Sequence, residues 1–291
     1  MDWIHIMSTG GGTGKTSVSI SLARAIARQR GGGVLILDAD FMGPSIREEI
    51  EPWGEGWEDC PSLTDLLLCP GDEYHSKLEK HLPVYCARES PLESMVFPSP
   101  LQKCYLPTPV LFSPSNVIDT FPKKETHHNI TQLHTMLAYE RTGGGIASAF
   151  KGIAKKTNEI LTEEHNSSLT AVIVDHSSGI GPLQWEAIRS EDADVRIVFV
   201  GDEHTATSDI NATRLIRSVP SPRHSVFVAN KVSDGTGYAT RALRVLPGCV
   251  RIWDYSSDDE DEYEKLKASL EEVIAKLALP PKPKTRKRRA T

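Results

Sequence analysis

The glycine-rich stretch Ser8–Ser17, "STGGGTGKTS", constrains the fold of this chain more than any other segment. It follows a short apolar run, "WIHIM" at residues 3–7, which predicts a buried β-strand. Apolar residues then recur every four positions at Val18, Leu22 and Ile26, which predicts a helix. A strand, a glycine-rich turn and a helix in this order are the context that a phosphate-binding loop requires. The sequence therefore predicts an anion-binding loop where the strand ends and the helix begins.

Each type of residue in this loop has a task in binding phosphate. Glycines let the backbone curl tightly, so that successive N–H groups point inward, and the start of the helix adds the positive end of its dipole. Lys15 is suited to bridge β- and γ-phosphates, and the hydroxyl of Thr16 is suited to Mg²⁺. The predicted nucleotide-binding residues of the loop are Gly11, Gly12, Thr13, Gly14, Lys15, Thr16 and Ser17.

Carboxylates follow two further predicted strands. Asp38 and Asp40 come after the apolar run "VLIL", and Asp175 comes after "AVIV". Since ligands of α/β sheets bind at the carboxyl ends of the strands, these acids are expected beside the phosphate loop. We expect one acid of the first pair near Mg²⁺ and the other orienting an attacking water, with Asp175 holding Mg²⁺ through water. The "SSGIG" at residues 177–181 is flexible enough to contact a γ-phosphate and to move on hydrolysis.

Six apolar runs rich in β-branched residues predict strands, and helical patterns lie between several of them. Runs this continuously apolar are typical of parallel strands that are covered by helices on both faces. The predicted fold class is therefore α/β, with a doubly wound, mostly parallel sheet flanked by helices. The runs lie at residues 3–7, 34–37, 171–174, 195–200, 225–229 and 250–253.

The chain of 291 residues is predicted to form one domain over residues 1–279, with an irregular insertion at about 51–145 and a basic tail at 280–291. Residues 51–122 contain eleven of the nineteen prolines and show little clean periodicity, which indicates an irregular insertion. Two strands, "LPVYCA" and "PVLFS", are expected at the edge of the sheet. Apolar residues between Tyr263 and Leu277 predict an amphipathic helix whose opposite face mixes Glu and Lys, so docking on the domain is expected instead of binding to a membrane.

Composition and charge limit the classes of protein to which this chain can belong. Apolar residues make up 39% of the chain and charged residues 25%, which suits a globular protein with a large core. Because there is neither a membrane-spanning apolar run nor a signal-peptide pattern, a cytoplasmic protein is expected, with or without association with the nucleoid. The net charge is −6, yet six of the last ten residues are Lys or Arg. This tail is either a handle for nucleic acid, an acidic protein or a membrane surface, or a disordered terminus.

Taken in order, the phosphate loop, "LDADFMGPSI", "VIVDHSSG" and a late "NK" resemble the MinD/ParA-type ATPases, which have a deviant Walker A loop. The resemblance covers residues 1–48 and 146–253. It implies that Lys15 and Asp40 are catalytic, the first by holding phosphates and the second by positioning water. The other residues that it implies are Thr16, Asp38 and Asp175 as the Mg²⁺ site and Asn230 as a contact for the adenine of ATP.

The chain departs from this family inside the loop itself. The family's signature lysine reaches the partner's phosphates in a sandwich dimer, and this chain has Gly10 at that position. Either another cation substitutes, with Lys151 as the first choice, or hydrolysis is very slow. The other candidates are Lys155, Lys156 and Arg47. The usual prolines after the Walker-B aspartate are also replaced, by His176, Ser177 and Ser178.

The resemblance implies an ATP-dependent switch that forms a homodimer, hydrolyses ATP slowly and positions or partitions DNA or a protein cargo. Non-specific DNA would bind through the basic tail, and a protein partner would stimulate hydrolysis. Two alternatives stay open at this point. One is an ATP-dependent ligase of the dethiobiotin synthetase kind, whose loop also lacks the signature lysine. The other is a scaffold that binds nucleotide without hydrolysing it.

Overall fold

In the part of the chain that the structure describes, the central sheet has seven parallel strands. The computed structural model describes residues 1–30, 32–41, 46, 63–68, 76, 110–112, 145–202, 225–232, 250–253 and 260–279. The strands are β1 (Asp2–Met7), β2 (Gly33–Ala39), β3 (Val110–Phe112), β4 (Leu169–His176), β5 (Val195–Gly201), β6 (Ser225–Val232) and β7 (Val250–Trp253). They lie in the order β3-β2-β4-β1-β5-β6-β7, and each neighbouring pair is parallel. The six strands expected from the apolar runs are all present, which confirms the predicted fold class.

Helices cover both faces of this sheet. In the described residues they are α1 (Lys15–Arg30), α2 (Leu63–Leu68), α3 (Gly145–His165), α4 (Pro182–Arg189) and α5 (Glu260–Lys276). Helices α1 and α5 pack on one face, where Ile26 and Val273 belong to the core. Helices α2, α3 and α4 supply Leu66, Phe150 and Leu183 to the core on the other face. Burial on both sides explains why the strands are almost continuously apolar.

The strand order reverses around β1, and this reversal brings together the strand ends that carry the candidate site residues. Strand β2 lies two positions to one side of β1, beyond β4, whereas β5 lies directly on the other side. The carboxyl ends of β1, β2 and β4 therefore meet next to the switch point, where doubly wound sheets bind their ligands. The glycine loop follows β1, and the acids Asp38 and Asp175 lie near the ends of β2 and β4.

Two described elements fall within the predicted insertion, residues 51–145. Strand β3 pairs with β2 at the edge of the sheet, as expected for "PVLFS". The sequence does not predict α2, because six residues are too few to show a helical period. Its Leu63, Leu66 and Leu67 are buried in the core. The second expected strand, "LPVYCA", lies outside the described residues.

The helix α5 docks on the domain, as predicted. Its apolar side chains pack with α1 and next to β6 and β7. None of the helices in the described part of the chain is long and apolar enough to cross a membrane. The buried residues of this face are Leu266, Leu270, Val273, Ile274 and Leu277.

Buried charged side chains at the amino ends of β1 and β5 hold the end of α5 in place. Arg30 Nη1 donates to Asp2 Oδ2 at 2.9 Å, and Arg196 Nη2 lies 3.6 Å from Asp2 Oδ1. Arg196 Nε also donates to the carbonyl of Leu277 at 2.9 Å. Because charges this deeply buried are costly without partners, the network holds β1, β5 and α5 together. It also fixes the point from which the basic tail continues.

Candidate nucleotide-binding site

The glycine-rich loop lies between β1 and α1, as predicted. Strand β1 ends at Met7 and α1 begins at Lys15, so the loop occupies the carboxyl end of a central strand. Gly12 and Gly14 have φ angles of 74° and 81°, a region that other residues rarely adopt. The carbonyl of Gly14 accepts the N–H of Val18 at 3.0 Å, so helical hydrogen bonding begins there. Glycine at these two positions permits the tight turn into the helix.

The predicted binding residues of the loop differ in exposure. Gly11 and Gly12 are exposed, whereas Thr13 is buried and its hydroxyl has no hydrogen-bond partner. Thr16 and Ser17 are partly exposed in the first turn of α1. The first N–H groups of a helix have no partner within the helix and favour an anion. This end of α1 therefore suits a phosphate group.

The ammonium of Lys15 contacts the loop that follows β4. Its Nζ donates to Ser178 Oγ at 3.1 Å, and the residue is only 8% exposed. Ser178 belongs to the loop at residues 177–181, which we call the second switch loop. In this loop, Gly179 donates its N–H to the carbonyl of Ser8 at 2.9 Å. The lysine expected to hold phosphates thus lies against the loop expected to respond to a γ-phosphate.

Two carboxylates lie side by side at the ends of neighbouring strands. Asp38 and Asp175 are register partners in the β2–β4 pair and are 0% and 1% exposed. Asp38 accepts the N–H of Asp40 at 3.1 Å and that of Ile46 at 3.2 Å. Both carboxylate oxygens of Asp175 are buried and make no hydrogen bond. A buried acid in this position requires a proton or a cation.

The pKa of Asp175 reflects this environment. Burial raises the pKa of Asp175 to about 7, and the charge of Asp38 is the second cause. The hydroxyls of Thr16 and Ser19 and the ammonium of Lys15 act in the opposite direction. These hydroxyls are near the carboxylate but form no hydrogen bond of normal geometry with it. Burial therefore has the largest effect on the pKa of Asp175.

This donor set fits Mg²⁺. The ion is usually bound by one or two carboxylates together with water and substrate phosphates, so a cage of protein ligands is unnecessary. Within the described residues there is no group of three or more His, Cys, Asp or Glu side chains that could hold a metal. The residues that would hold Mg²⁺ are Asp38, Asp175 and Thr16, and the cation would supply the charge that the orphaned oxygens of Asp175 lack.

Asn230 supports the phosphate loop from within the sheet. It lies in β6, is 0% exposed and donates from Nδ2 to the carbonyl of Thr13 at 2.7 Å. The sequence does not reveal this contact, because 217 positions separate the two residues. Asn230 therefore shapes the loop backbone, while its contact with adenine stays a prediction.

A pair of histidines, the half-buried His5 and the buried His176, lies on the face of the sheet opposite to the Asp175 side chain. His5 Nδ1 and His176 Nε2 are 2.8 Å apart, and the rings are stacked. Burial lowers the pKa of His5 to about 4. Burial, followed by the charges of His5 and Lys15, holds the pKa of His176 well below its usual value. Both rings are therefore neutral at pH 7, and one N–H joins them. Sequence patterns miss this pair, because only the β1–β4 pairing brings the two residues together.

Lys151 forms an exposed ion pair with Asp192, and its role as the replacement for the signature lysine stays a prediction. Its Nζ lies 3.3 Å from Asp192 Oδ2, and more than half of each side chain is exposed (63% and 61%). Asp192 forms the turn into β5 with Val195, near the amino end of that strand, whereas the phosphate loop lies at the carboxyl ends. Lys155 and Lys156 each lie 3.9 Å from Glu159 of the same helix, and Arg47 is outside the described residues.

The sequence of this chain matches the family model of the CobQ/CobB/MinD/ParA nucleotide binding domain over residues 4–282. The chain belongs to this family. This match confirms the resemblance to the MinD/ParA-type proteins. No curated protein is significantly similar to the chain in sequence.

Solved structures share the fold of this MinD/ParA-type domain. Apo McdA from Cyanothece is 14% identical, with a TM-score of 0.54 over 95% of this chain and 99% of that one. A plasmid partition protein from Borrelia burgdorferi B31, bound to AMPPNP, is 12% identical, with a TM-score of 0.51 over 95% of this chain and 98% of that one. At these identities the likeness shows the fold alone.

Proposed function

We propose that this protein is an ATP-dependent molecular switch that positions or partitions a cargo. The proposal rests on one observation: Lys15, Asp38 and Asp175 lie together at the carboxyl ends of adjacent strands. The carboxylate oxygens of Asp175 make no hydrogen bond there. Charges that are this buried act strongly on phosphates, because little water screens them. Family membership and the AMPPNP bound to the Borrelia relative support ATP as the ligand.

Each site residue has a separate role in this proposal. Lys15 binds the β- and γ-phosphates, with the N–H groups of the loop and the start of α1 around them. Asp38, Asp175 and Thr16 would hold Mg²⁺, which neutralises phosphate charge when bound. Asp40 orients the attacking water. Its backbone N–H bonds to Asp38 Oδ1 at 3.1 Å, which fixes Asp40 directly after the buried strand.

Hydrolysis in this proposal is slow and is stimulated by a protein partner. Gly10 carries no side chain, so it cannot send a cation to the phosphates of a second subunit. In other nucleotide hydrolases a cation supplied in this way is worth about 10³- to 10⁵-fold in rate. Binding of ATP would then promote a homodimer that persists until a partner completes the site or hydrolysis occurs.

Replacing Asp40 with alanine should trap this dimer. Without a residue to orient water, ATP stays intact, so Asp40→Ala should double in mass with Mg·ATP and remain monomeric with Mg·ADP. Light scattering after size exclusion measures this difference. The exposed Asp192→Ala serves as the matched control and should behave as the wild type. A monomeric Asp40→Ala variant at saturating ATP would refute the dimer mechanism.

Non-specific DNA is the proposed surface on which the switch acts. Residues 280–291 carry six Lys or Arg residues and follow a helix whose end is fixed by the contact from Arg196 to Leu277. Removing these residues should weaken binding to random-sequence duplex DNA by about tenfold or more near 0.1 M salt. It should also flatten the dependence on salt, because each lost phosphate contact removes about 0.9 from the logarithmic slope. Fluorescence anisotropy at several salt concentrations tests this, and unchanged binding would exclude the tail as the DNA site.

A further inference from the structure

Gln184 holds both ends of the second switch loop. It lies in the first turn of α4 and is 3% exposed. Its Oε1 accepts the N–H of Gly181 at 3.2 Å. Its Nε2 donates to the carbonyl of Ser177 at 3.1 Å and lies 3.2 Å from the hydroxyl of the same residue. One buried amide thus connects the first and last residues of the loop.

The chemistry of these contacts requires an amide at this position. A backbone N–H can only donate and a carbonyl can only accept, so the partners fix the orientation of the Gln184 side chain. Glutamate would offer acceptors alone, and alanine would offer neither group. Leu183, Ala187 and Ile188 of the same helix are also buried, so α4 is a firmly packed support for the amide.

The rest of the loop has few restraints. Ser177 and Ser178 have no ring that fixes φ. Gly179 has a φ of 93°, and an added Cβ would have nothing within 4 Å. Ile180 is 36% exposed. The loop is therefore held at its ends by Gln184 and near its middle by the contacts of Ser178 and Gly179.

We propose that Gln184 is a positioning residue that keeps Ser178 and Gly179 next to Lys15, so that the second switch loop responds to a γ-phosphate. The proposal rests on the proposed function, since it concerns the same ATP site. When Lys15 exchanges Ser178 for phosphate oxygens, a loop tethered by Gln184 stays close enough to contact the γ-phosphate. A diphosphate engages the glycine loop alone, so its binding does not depend on the tether. Gln184 thereby sets the preference for the triphosphate.

Hydrogen exchange and nucleotide affinity, both measured on the full chain, test this role. In Gln184→Ala, the amides of Gly179 and Gly181 should exchange about tenfold faster or more, because two or three hydrogen bonds are lost. The affinity for Mg·AMPPNP should fall by about tenfold, while that for Mg·ADP changes less than about twofold. Glu186→Gln, an exposed change on the same helix, is the matched control and should match the wild type.

Two other variants keep the test decisive if Gln184→Ala does not fold. Gln184→Glu retains an acceptor for Gly181 but sets a carboxylate oxygen against the carbonyl of Ser177, so it should lose the AMPPNP preference at least as fully as Gln184→Ala. Ser177→Ala removes only the hydroxyl contact and should show a smaller loss. Wild-type exchange rates together with a wild-type ratio of AMPPNP to ADP affinity in all folded Gln184 variants would overturn the proposal. If the wild type binds neither nucleotide, the proposed function fails, and the γ-phosphate role fails with it. Hydrogen exchange of the Gly179 and Gly181 amides, measured without nucleotide, still shows whether Gln184 tethers the loop.

Discussion

Replacing Lys15 with alanine is expected to lower the affinity for Mg·ATP by about 100-fold or more and to abolish hydrolysis. The ammonium is nearly buried at the start of α1, so its hydrogen bonds to phosphate would be charge-assisted and little screened by water. A factor of 100 corresponds to about 2.8 kcal/mol, which is in the range of a hydrogen bond between charged groups. Calorimetric titration with ATP at pH 7.5 measures the change.

The control for this variant is Lys265→Ala, which removes an exposed lysine from α5. Both variants lose one positive charge, so the comparison separates the role of Lys15 from an effect of net charge. Folding of Lys15→Ala should be nearly unchanged, because Ser178, the partner of Lys15 in the structure, is exposed to water. An ATP affinity equal to that of the wild type would show that the glycine loop does not bind phosphate through Lys15.

Replacing Asp175 with asparagine should have two effects of opposite sign. The pKa of Asp175 is about 7 in the folded protein, above the value of about 3.9 for an unfolded chain. The unfolded state therefore releases this proton first, and stability falls as the pH rises from about 4 to about 7. Because asparagine carries no charge, Asp175→Asn should raise the free energy of unfolding at pH 8 by about 1 to 3 kcal/mol. At the same time it should remove most of the stabilisation by Mg·ATP.

Thermal unfolding at pH 4.5 and pH 8, with and without Mg·ATP, measures both effects. The gain at pH 8 corresponds to about 2 to 4 °C in Tm per kcal/mol for a domain of this size, and it should shrink at pH 4.5. Asp192→Asn, which changes an exposed acid, should alter neither quantity. A less stable Asp175→Asn protein at pH 8, or one that Mg·ATP stabilises as much as the wild type, would contradict the metal site.

The fold, and the placement of the candidate site residues within it, are predictable because their signals are local. Six strands are recognisable because burial on both faces requires continuous apolar runs. The phosphate loop is recognisable because phosphate binding requires glycines and a lysine in a fixed order. Asp38 and Asp175 follow from the same logic, since the ends of parallel strands meet at one edge of the sheet.

The contacts that shape the site are not predictable, because they join residues that are distant in the chain or have an ordinary local pattern. Asn230 and Thr13 meet only through the packing of β6 beneath the loop. Gln184 has the sequence context of any polar residue in the first turn of a helix. Lys151 belongs to a helical pattern, and the pattern does not show that its partner is Asp192, which lies 41 positions away.

The release of phosphate from ATP by the purified chain, in Mg²⁺ and without any added small-molecule acid, tests the central claim most directly. A switch without the signature lysine should turn over slowly, on the order of 10⁻⁴ to 10⁻³ per second, as in hydrolases that lack a trans-acting cation. The rate should vanish in Lys15→Ala and rise when DNA or a stimulating partner is added. Binding of ATP with no phosphate release under any of these conditions would identify a scaffold. Release only after addition of a carboxylic acid substrate would identify a ligase, and either result would contradict the account.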